Sequence, residues 1–188
     1  MAVFMEILFV TSNRYKFKEG ETILKEKGIK LVHDAMSCPE IQSDSLLEIA
    51  TDSARYAYDK MRKPLIVEDS GLFVYDLKGF PGPYSRYTLD TIGCKGILKL
   101  MEGKANRAAE FRSVIAYATP NSPDIKTFVG RVDGNLSEAI RGDDGFGYDP
   151  IFIPFGKQKT FAEDYAYKMK VSHRIKSFQL LAEHLTKL

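Results

Sequence analysis

The sequence predicts an α/β fold, and three observations carry that prediction. Residues 6–11 form a compact apolar run of strand character that passes through a polar loop into a stretch with helical potential to about residue 27. A second helix opens on the capping-box pattern Ser45-Leu46-Leu47-Glu48 and is stopped by Pro64, directly before the apolar run Leu65-Ile66-Val67. Residues 108–118 and 125–133 read as two strands around the turn Pro120-Asn121-Ser122-Pro123-Asp124, and are expected to pair as an antiparallel hairpin.

A chain of 188 residues suits one domain with a single well-buried core. The formal charge of +2 and 44% apolar content fit a soluble globular protein and exclude both a strongly basic duplex binder and a disordered chain. No apolar run reaches membrane-spanning length, and residues 1–10 lack the basic flank and cleavage site of a secretory signal, so a cytoplasmic location is expected. Cys38 and Cys94 stand far apart without a zinc-ligand pattern and read as free thiols.

The first loop is Thr11-Ser12-Asn13-Arg14-Tyr15-Lys16. Ser12 or Asn13 can cap the helix that follows, whose first N–H groups then form an anion site, with Lys16 adding a mobile charge. Triphosphate is the natural guest, although a capped helix with a solvated lysine is the commoner meaning of such a string. The glycines and the Gly-Lys-Ser/Thr ending of a Walker loop are missing. Residues 29–33 can form a short strand. In the loop after it, Glu40 is either a solvated acid or an oxygen ligand for a hard cation. The second helix buries Leu46, Leu47, Ala50, Ala54, Ala57, Tyr58 and Met61 at three- and four-residue intervals.

The run Leu65-Ile66-Val67-Glu68-Asp69-Ser70-Gly71 reads as a strand that ends in two carboxylates, a hydroxyl and a glycine. Alternation sends Glu68 and Asp69 to opposite faces, and Asp69 is the one expected to address a ligand beyond the strand's carboxyl end. An ordinary strand and acidic turn is an equally good reading of the run alone. Strand character resumes at 72–75, before the stiff loop Phe80-Pro81-Gly82-Pro83-Tyr84. Arg86 follows, able to reach a phosphate but by default a surface residue. Residues 91–101 look helical despite Gly93 and Gly96, and 136–140 can add a strand.

The loop Arg141-Gly142-Asp143-Asp144-Gly145-Phe146-Gly147-Tyr148-Asp149-Pro150 holds three glycines that let the backbone approach a ligand. Phe146 and Tyr148 offer faces for stacking a base, and exposed backbone groups with Asp149 offer edge contacts. A plain glycine-rich connector is the alternative. Lys168 lies in a polar segment, and Ser172 is the expected N-cap of a last helix with the buried stripe Ile175, Phe178, Leu181 and Leu185. His173 and Arg174 then sit in its first turn, where cations oppose the helix dipole unless an anion lies nearby.

Taken together, Thr11-Ser12-Asn13-x-x-Lys16, Pro39-Glu40-Ile41, Glu68-Asp69-Ser70-Gly71-Leu72, Phe80-Pro81-Gly82-Pro83-Tyr84-Ser85, Phe146-Gly147-Tyr148-Asp149-Pro150, Phe161-Ala162-Glu163 and Ser172-His173-Arg174 resemble the inosine triphosphate pyrophosphatase family in order and spacing over nearly the whole chain. The resemblance implies an elongated mixed β-sheet flanked by helices, two lobes with a central substrate cleft, and a homodimer. It also implies Mg²⁺-dependent hydrolysis of ITP, dITP and XTP to the monophosphate and pyrophosphate. By that likeness Thr11, Ser12, Asn13, Arg14, Tyr15 and Lys16 hold phosphates, Glu40 and Asp69 serve the metal, and Asp69 is the proton acceptor. Ser70, Phe146, Gly147, Tyr148, Asp149, Lys168, His173 and Arg174 correspond to further substrate contacts. The family's usual Glu-Lys-Asn ahead of Ser-His-Arg reads Tyr167-Lys168-Met169 here, which removes both polar neighbours of Lys168. The chain also starts earlier than the family pattern, with Met5 near the common start, so residues 1–4 read as an extension.

Two rival functions fit parts of the pattern. A pyrophosphatase for pyrimidine or modified nucleotides would use the same phosphate machinery. A non-catalytic nucleotide or RNA binder would not place the acids Glu40 and Asp69 near phosphates without a cation.

Overall fold

The computed structural model describes residues 5–120 and 122–187, the side chain of Pro123 excepted. The amino-terminal extension expected at 1–4 and Asn121 of the expected turn lie outside the described residues. A six-stranded sheet runs in the order β2-β1-β3-β4-β5-β6. Its strands are β1 (Glu6–Val10), β2 (Lys30–Asp34), β3 (Leu65–Val74), β4 (Ala108–Thr119), β5 (Ser122–Leu136) and β6 (Phe152–Pro154). β1 is parallel to β2 and to β3, whereas β5 and β6 are antiparallel, so the sheet is mixed as expected.

The chain divides into two compact units. The first comprises residues 1–69, 113–130 and 174–188, and the second 70–112 and 131–173. Strands β3, β4 and β5 each contribute residues to both.

In the first unit, α1 (Arg14–Glu26) connects β1 to β2 and α2 (Leu46–Met61) connects β2 to β3. Ser45 accepts the Glu48 amide, as the capping box requires, and α2 closes on Arg62 in the left-handed region at φ 52°. The expected apolar stripe of α2 is only partly buried: Leu46, Ala50, Ala54 and Ala57 are inside, while Leu47 is 46% exposed. The last helix, α6 (His173–Leu185), buries Ile175, Phe178, Leu181 and Leu185 as its periodicity predicts. Phe178 meets Phe9 of β1 edge-to-face at 5.6 Å. A Cβ on Gly20 would collide with the Phe178 ring, so α1 and α6 approach this closely because position 20 has no side chain.

In the second unit, Leu72, Val74, Ile97, Met101, Ala109 and Phe111 bury together with Phe152 and Phe161. Phe111 and Phe152 stand 4.6 Å apart, and Phe152 and Phe161 5.2 Å. Its helices are α3 (Ser85–Thr91), α4 (Gly93–Leu100) and α5 (Tyr165–Val171).

Several boundaries differ from the sequence reading. β3 does not end at the carboxylates: it continues without interruption through Glu68, Asp69, Ser70 and Gly71 to Val74. The short, bare Gly71 allows it, since a Cβ there would strike the Gly82 carbonyl and any side chain would force the segments apart. Residues 137–140 form no strand, β5 ending at Leu136. The helix expected over 91–101 is α4, and a further short helix, α3, precedes it, the two separated where Gly93 takes φ 63°. The polar segment around Lys168 is helical, its N-cap Asp164 accepting the Tyr167 amide.

Candidate active site

In the first unit, β1 lies between β2 and β3, and its chain continues to β2 on one side while β3 follows on the other. Such an order reversal leaves a crevice at the carboxyl end of the central strand. The relevant strand end is therefore that of β1, with Thr11 to Lys16 just beyond it, beside the middle of β3.

Two groups of β2 fix Thr11: its amide donates to the Asp34 carbonyl (2.9 Å), and its carbonyl accepts the His33 Nε2 proton (2.7 Å). The Asn13 amide then donates to Thr11 Oγ1 (3.1 Å). Asn13, rather than Ser12, is the N-cap, its Oδ1 accepting the amides of Tyr15 (2.9 Å) and Lys16 (3.2 Å). This corrects the expectation of open first-turn donors, because the cap itself satisfies two of them. Ser12, Arg14 and Tyr15 are exposed, while Thr11, Asn13 and Lys16 are half-buried.

The Lys16 ammonium reaches the Glu68 carbonyl (3.1 Å) and Glu68 Oε2 (2.9 Å). Glu68 Oε1 accepts the Ser113 hydroxyl (2.7 Å) and Arg174 Nε (3.2 Å), and Arg174 NH1 pairs with Glu19 (2.7 Å). Burial pushes the Glu68 carboxyl up, but Arg174, Lys16 and the Ser113 hydroxyl outweigh it and hold the group down at about 2. These carboxylates answer the conflict raised by an arginine at a helix N-terminus: Arg174 is 2% exposed, and its Nε and NH1 are engaged inside the protein.

Sequence reasoning passed over both partners. The motif reading favours Asp69 over Glu68, and alternation does separate them, Glu68 being buried and Asp69 half-buried. Glu19 carried a usable signal. It falls on the face of α1 that also buries Gly20, Ile23 and Leu24, and an acid on an apolar face requires a buried cation.

Glu40 is exposed in the loop after β2. The Cys38 thiol is raised by burial and then by the charges of Glu40 and Asp34, which marks this corner as acidic and Cys38 as a protonated thiol. Among the described residues no group of three or more His, Cys, Asp or Glu side chains is placed to hold a metal. Were Glu40 and Asp69 to hold an ion, as the motif resemblance implies, they would offer a sparse, all-oxygen donor set, which suits Mg²⁺, with its retained waters and one or two carboxylates plus substrate phosphates, better than Zn²⁺ or Ca²⁺.

In the second unit, Asp149 Oδ2 accepts the Phe146 amide (2.9 Å) and the Lys168 ammonium (2.7 Å). Lys168 lies 4.4 Å from the Phe146 ring centre and 5.2 Å from that of Tyr165, with only 1% of its surface exposed. The support missing from Tyr167 and Met169 therefore comes from Asp149 and two aromatic faces. Tyr148 corrects the expectation of a stacking ring: it is 3% exposed, packs into the core, and donates its hydroxyl to the Ser85 carbonyl (2.9 Å). Burial pushes its phenol well above the ordinary value, with Cys94 and Asp90 adding to the effect, so it stays a donor. Phe146 and Gly147 are half-buried, as is Ser70 on β3. His173 is buried and stacks on Phe111 at 4.6 Å with ring planes 11° apart. Arg86 is a surface residue paired with Asp90.

Residues 7–184 match the model of the Ham1 family. The chain belongs to that family. Among its Ham1 relatives, a dITP/XTP pyrophosphatase of Methanopyrus kandleri is 51% identical over 95% of this chain and 95% of its own. One from Saccharolobus solfataricus with the same name is 48% identical over 96% and 94%. The solved structure of a HAM1 protein from Coxiella burnetii superposes with a TM-score of 0.86 at 30% identity, covering 98% of this chain and all of that one. The family resemblance drawn from the motifs is borne out, and with it the enzyme class and the α/β architecture of the Ham1 fold.

Proposed function

We propose that the chain hydrolyses non-standard purine nucleoside triphosphates, namely dITP, XTP and ITP, to the monophosphate and pyrophosphate with the help of Mg²⁺. The observation that carries this reading is the pairing of Lys16, on a capped first turn at the end of β1, with Glu68 of β3, the residue directly before Asp69. This supports a cation for phosphates held against the chain neighbour of the acid read as the water activator, since Asp69 follows Glu68 on β3. The names of the relatives support the substrate class.

Thr11 to Lys16 hold the triphosphate tail, with Lys16 as a point charge and the backbone of the turn fixing its position. Glu40 and Asp69 would hold Mg²⁺, which would supply charge withdrawal from the triphosphate and charge neutralisation for the leaving pyrophosphate. Asp69 orients and deprotonates the water that attacks the α-phosphorus, so no covalent intermediate forms. Phe146 supplies a ring face for the base. Asp149 with Lys168, together with the amides of the Gly147 turn, reads the 6-oxo edge, and Ser70, Tyr148, His173 and Arg174 complete the binding set, Tyr148 and Arg174 by holding their neighbours. Rejection of adenine follows because a 6-amino group would leave buried donors unmatched.

The same reading makes residues 1–188 one catalytic domain, acting as a homodimer on free nucleotides in the cytoplasm, with no nucleic-acid or membrane partner. No helix among the described residues is long and apolar enough to cross a membrane. The test is pyrophosphate release across ITP, dITP, XTP and the standard triphosphates with Mg²⁺ and with EDTA. Equal rates on every base, or full rates in EDTA, would refute the assignment. Asp69→Asn is expected to abolish turnover and keep nucleotide binding; near-parental release would remove Asp69 as the base.

A further inference from the structure

Besides its own amide bond to the Gly82 carbonyl, Ser85 offers a hydroxyl and a carbonyl that make three hydrogen bonds in the interior of the second unit. Its hydroxyl donates to the Gly82 carbonyl (2.7 Å) and accepts the Leu72 amide (2.9 Å), while its carbonyl accepts the Tyr148 hydroxyl (2.9 Å). Ser85 is 8% exposed, Leu72 fully buried and Tyr148 3% exposed, so water cannot take over these contacts. Leu72 lies two residues beyond Ser70 on β3, and the intervening Gly71 presses against the Gly82 carbonyl. Tyr148 lies between Gly147 and Asp149, whose carboxylate holds Lys168 and the Phe146 amide.

We propose that Ser85 is a positioning residue for base selection, tying the Ser70 segment of β3 and the Phe146–Asp149 loop to one buried hydroxyl and carbonyl. This rests on the reading of the Phe146–Asp149 loop as the base-recognition element. Ser85 touches no reacting atom in this role. Its hydroxyl fixes where β3 passes the turn at Gly82, and its carbonyl fixes Tyr148, so Asp149 and Lys168 keep the position from which they read the base. A buried polar pair discriminates between bases only while it stays where it is held, because a displaced donor bonds to water or to the wrong edge as readily as to the right one. The phosphate-holding residues Thr11 to Lys16 belong to the first unit and share none of these three bonds.

The experiment compares Ser85→Ala, Tyr148→Phe and the double variant with the parental enzyme. It reads the KM for dITP, the preference for dITP over dATP, and inhibition by inorganic tripolyphosphate, which has no base. Ser85→Ala is expected to raise the KM for dITP about tenfold and narrow the preference, with tripolyphosphate inhibition within about twofold of the parent. Tyr148→Phe is expected to move the same quantities in the same direction, and the double variant to be less impaired than the two losses added together. An unchanged KM for dITP, tripolyphosphate inhibition weakening in step with it, or simple addition of the two losses overturns the proposal. Should Ser85→Ala fail to fold, Tyr148→Phe, which removes one oxygen atom, decides by the same two ligands. A parental enzyme without preference for dITP over dATP would instead overturn the base-loop reading itself, a result visible before any variant is made.

Discussion

Replacing Glu68 by Gln removes the negative charge that Lys16 and Arg174 share and keeps the shape and the acceptor for Ser113. In the parental protein the carboxyl is held at about 2 against an ordinary value of 4.5. At about 1.4 kcal/mol for each tenfold change in proton affinity, that depression corresponds to on the order of 3 kcal/mol of stability at neutral pH. Glu68 is buried, so solvent screening takes little of this away, and loss of one partner from a buried ion pair carries a cost of similar size, about 3–5 kcal/mol. The sign follows from the depressed value: the contribution is fully present above pH 4.5 and is lost as the pH falls through about 2. Glutamine does not titrate there. Urea unfolding should therefore show Glu68→Gln less stable by roughly 3 kcal/mol at pH 7, a melting shift of roughly 6–12 °C for a chain of this size. The gap should shrink by roughly 2 kcal/mol between pH 7 and pH 3 as the unfolded parental carboxylate protonates. A gap of constant size over that range would mean that the network does not draw its stability from the Glu68 charge.

Three further outcomes follow from the same geometry. Lys16→Ala is expected to weaken triphosphate binding far more than nucleoside binding, checked by titration calorimetry with dITP and deoxyinosine; equal losses would end its phosphate role. Asp149→Asn removes the carboxylate charge that meets the buried Lys168 ammonium, and should cost about 3 kcal/mol or more in urea unfolding; a cost below about 1 kcal/mol would show that the pair contributes little. His33→Ala removes the donor to the Thr11 carbonyl and should weaken tripolyphosphate inhibition about fivefold, the equivalent of one net hydrogen bond. His33→Gln, whose amide can donate from a similar position, should restore most of that loss, and failure to do so would count against the hydrogen bond as the cause.

Much of the fold was legible because short-range signals agree. The capping box at Ser45, the stop at Pro64 and the stripe Ile175-Phe178-Leu181-Leu185 are local features, each decided within a turn or two of chain. The boundaries that failed were decided elsewhere. β3 runs through Glu68-Asp69-Ser70-Gly71 because Gly71 is needed against Gly82 and because the buried charge of Glu68 is met by Lys16 and Arg174, residues 52 and 106 positions away. No local pattern encodes such partners. The same holds for Tyr148, which reads as an open aromatic in a glycine-rich loop and is in fact a core residue bonded to Ser85.

By itself, the sequence determined most of the element types, the family through the order of its motifs, and which side chains carry charge. Only the tertiary structure decided which charges meet. Burying a carboxylate is unfavourable unless a cation meets it, and the cations that make Glu19, Glu68 and Asp149 tolerable are supplied by elements distant in the chain and brought close by packing. Apolar burial and backbone capping act over a few residues and leave a periodic trace in the chain, whereas the pairing of buried charges acts through space and leaves none.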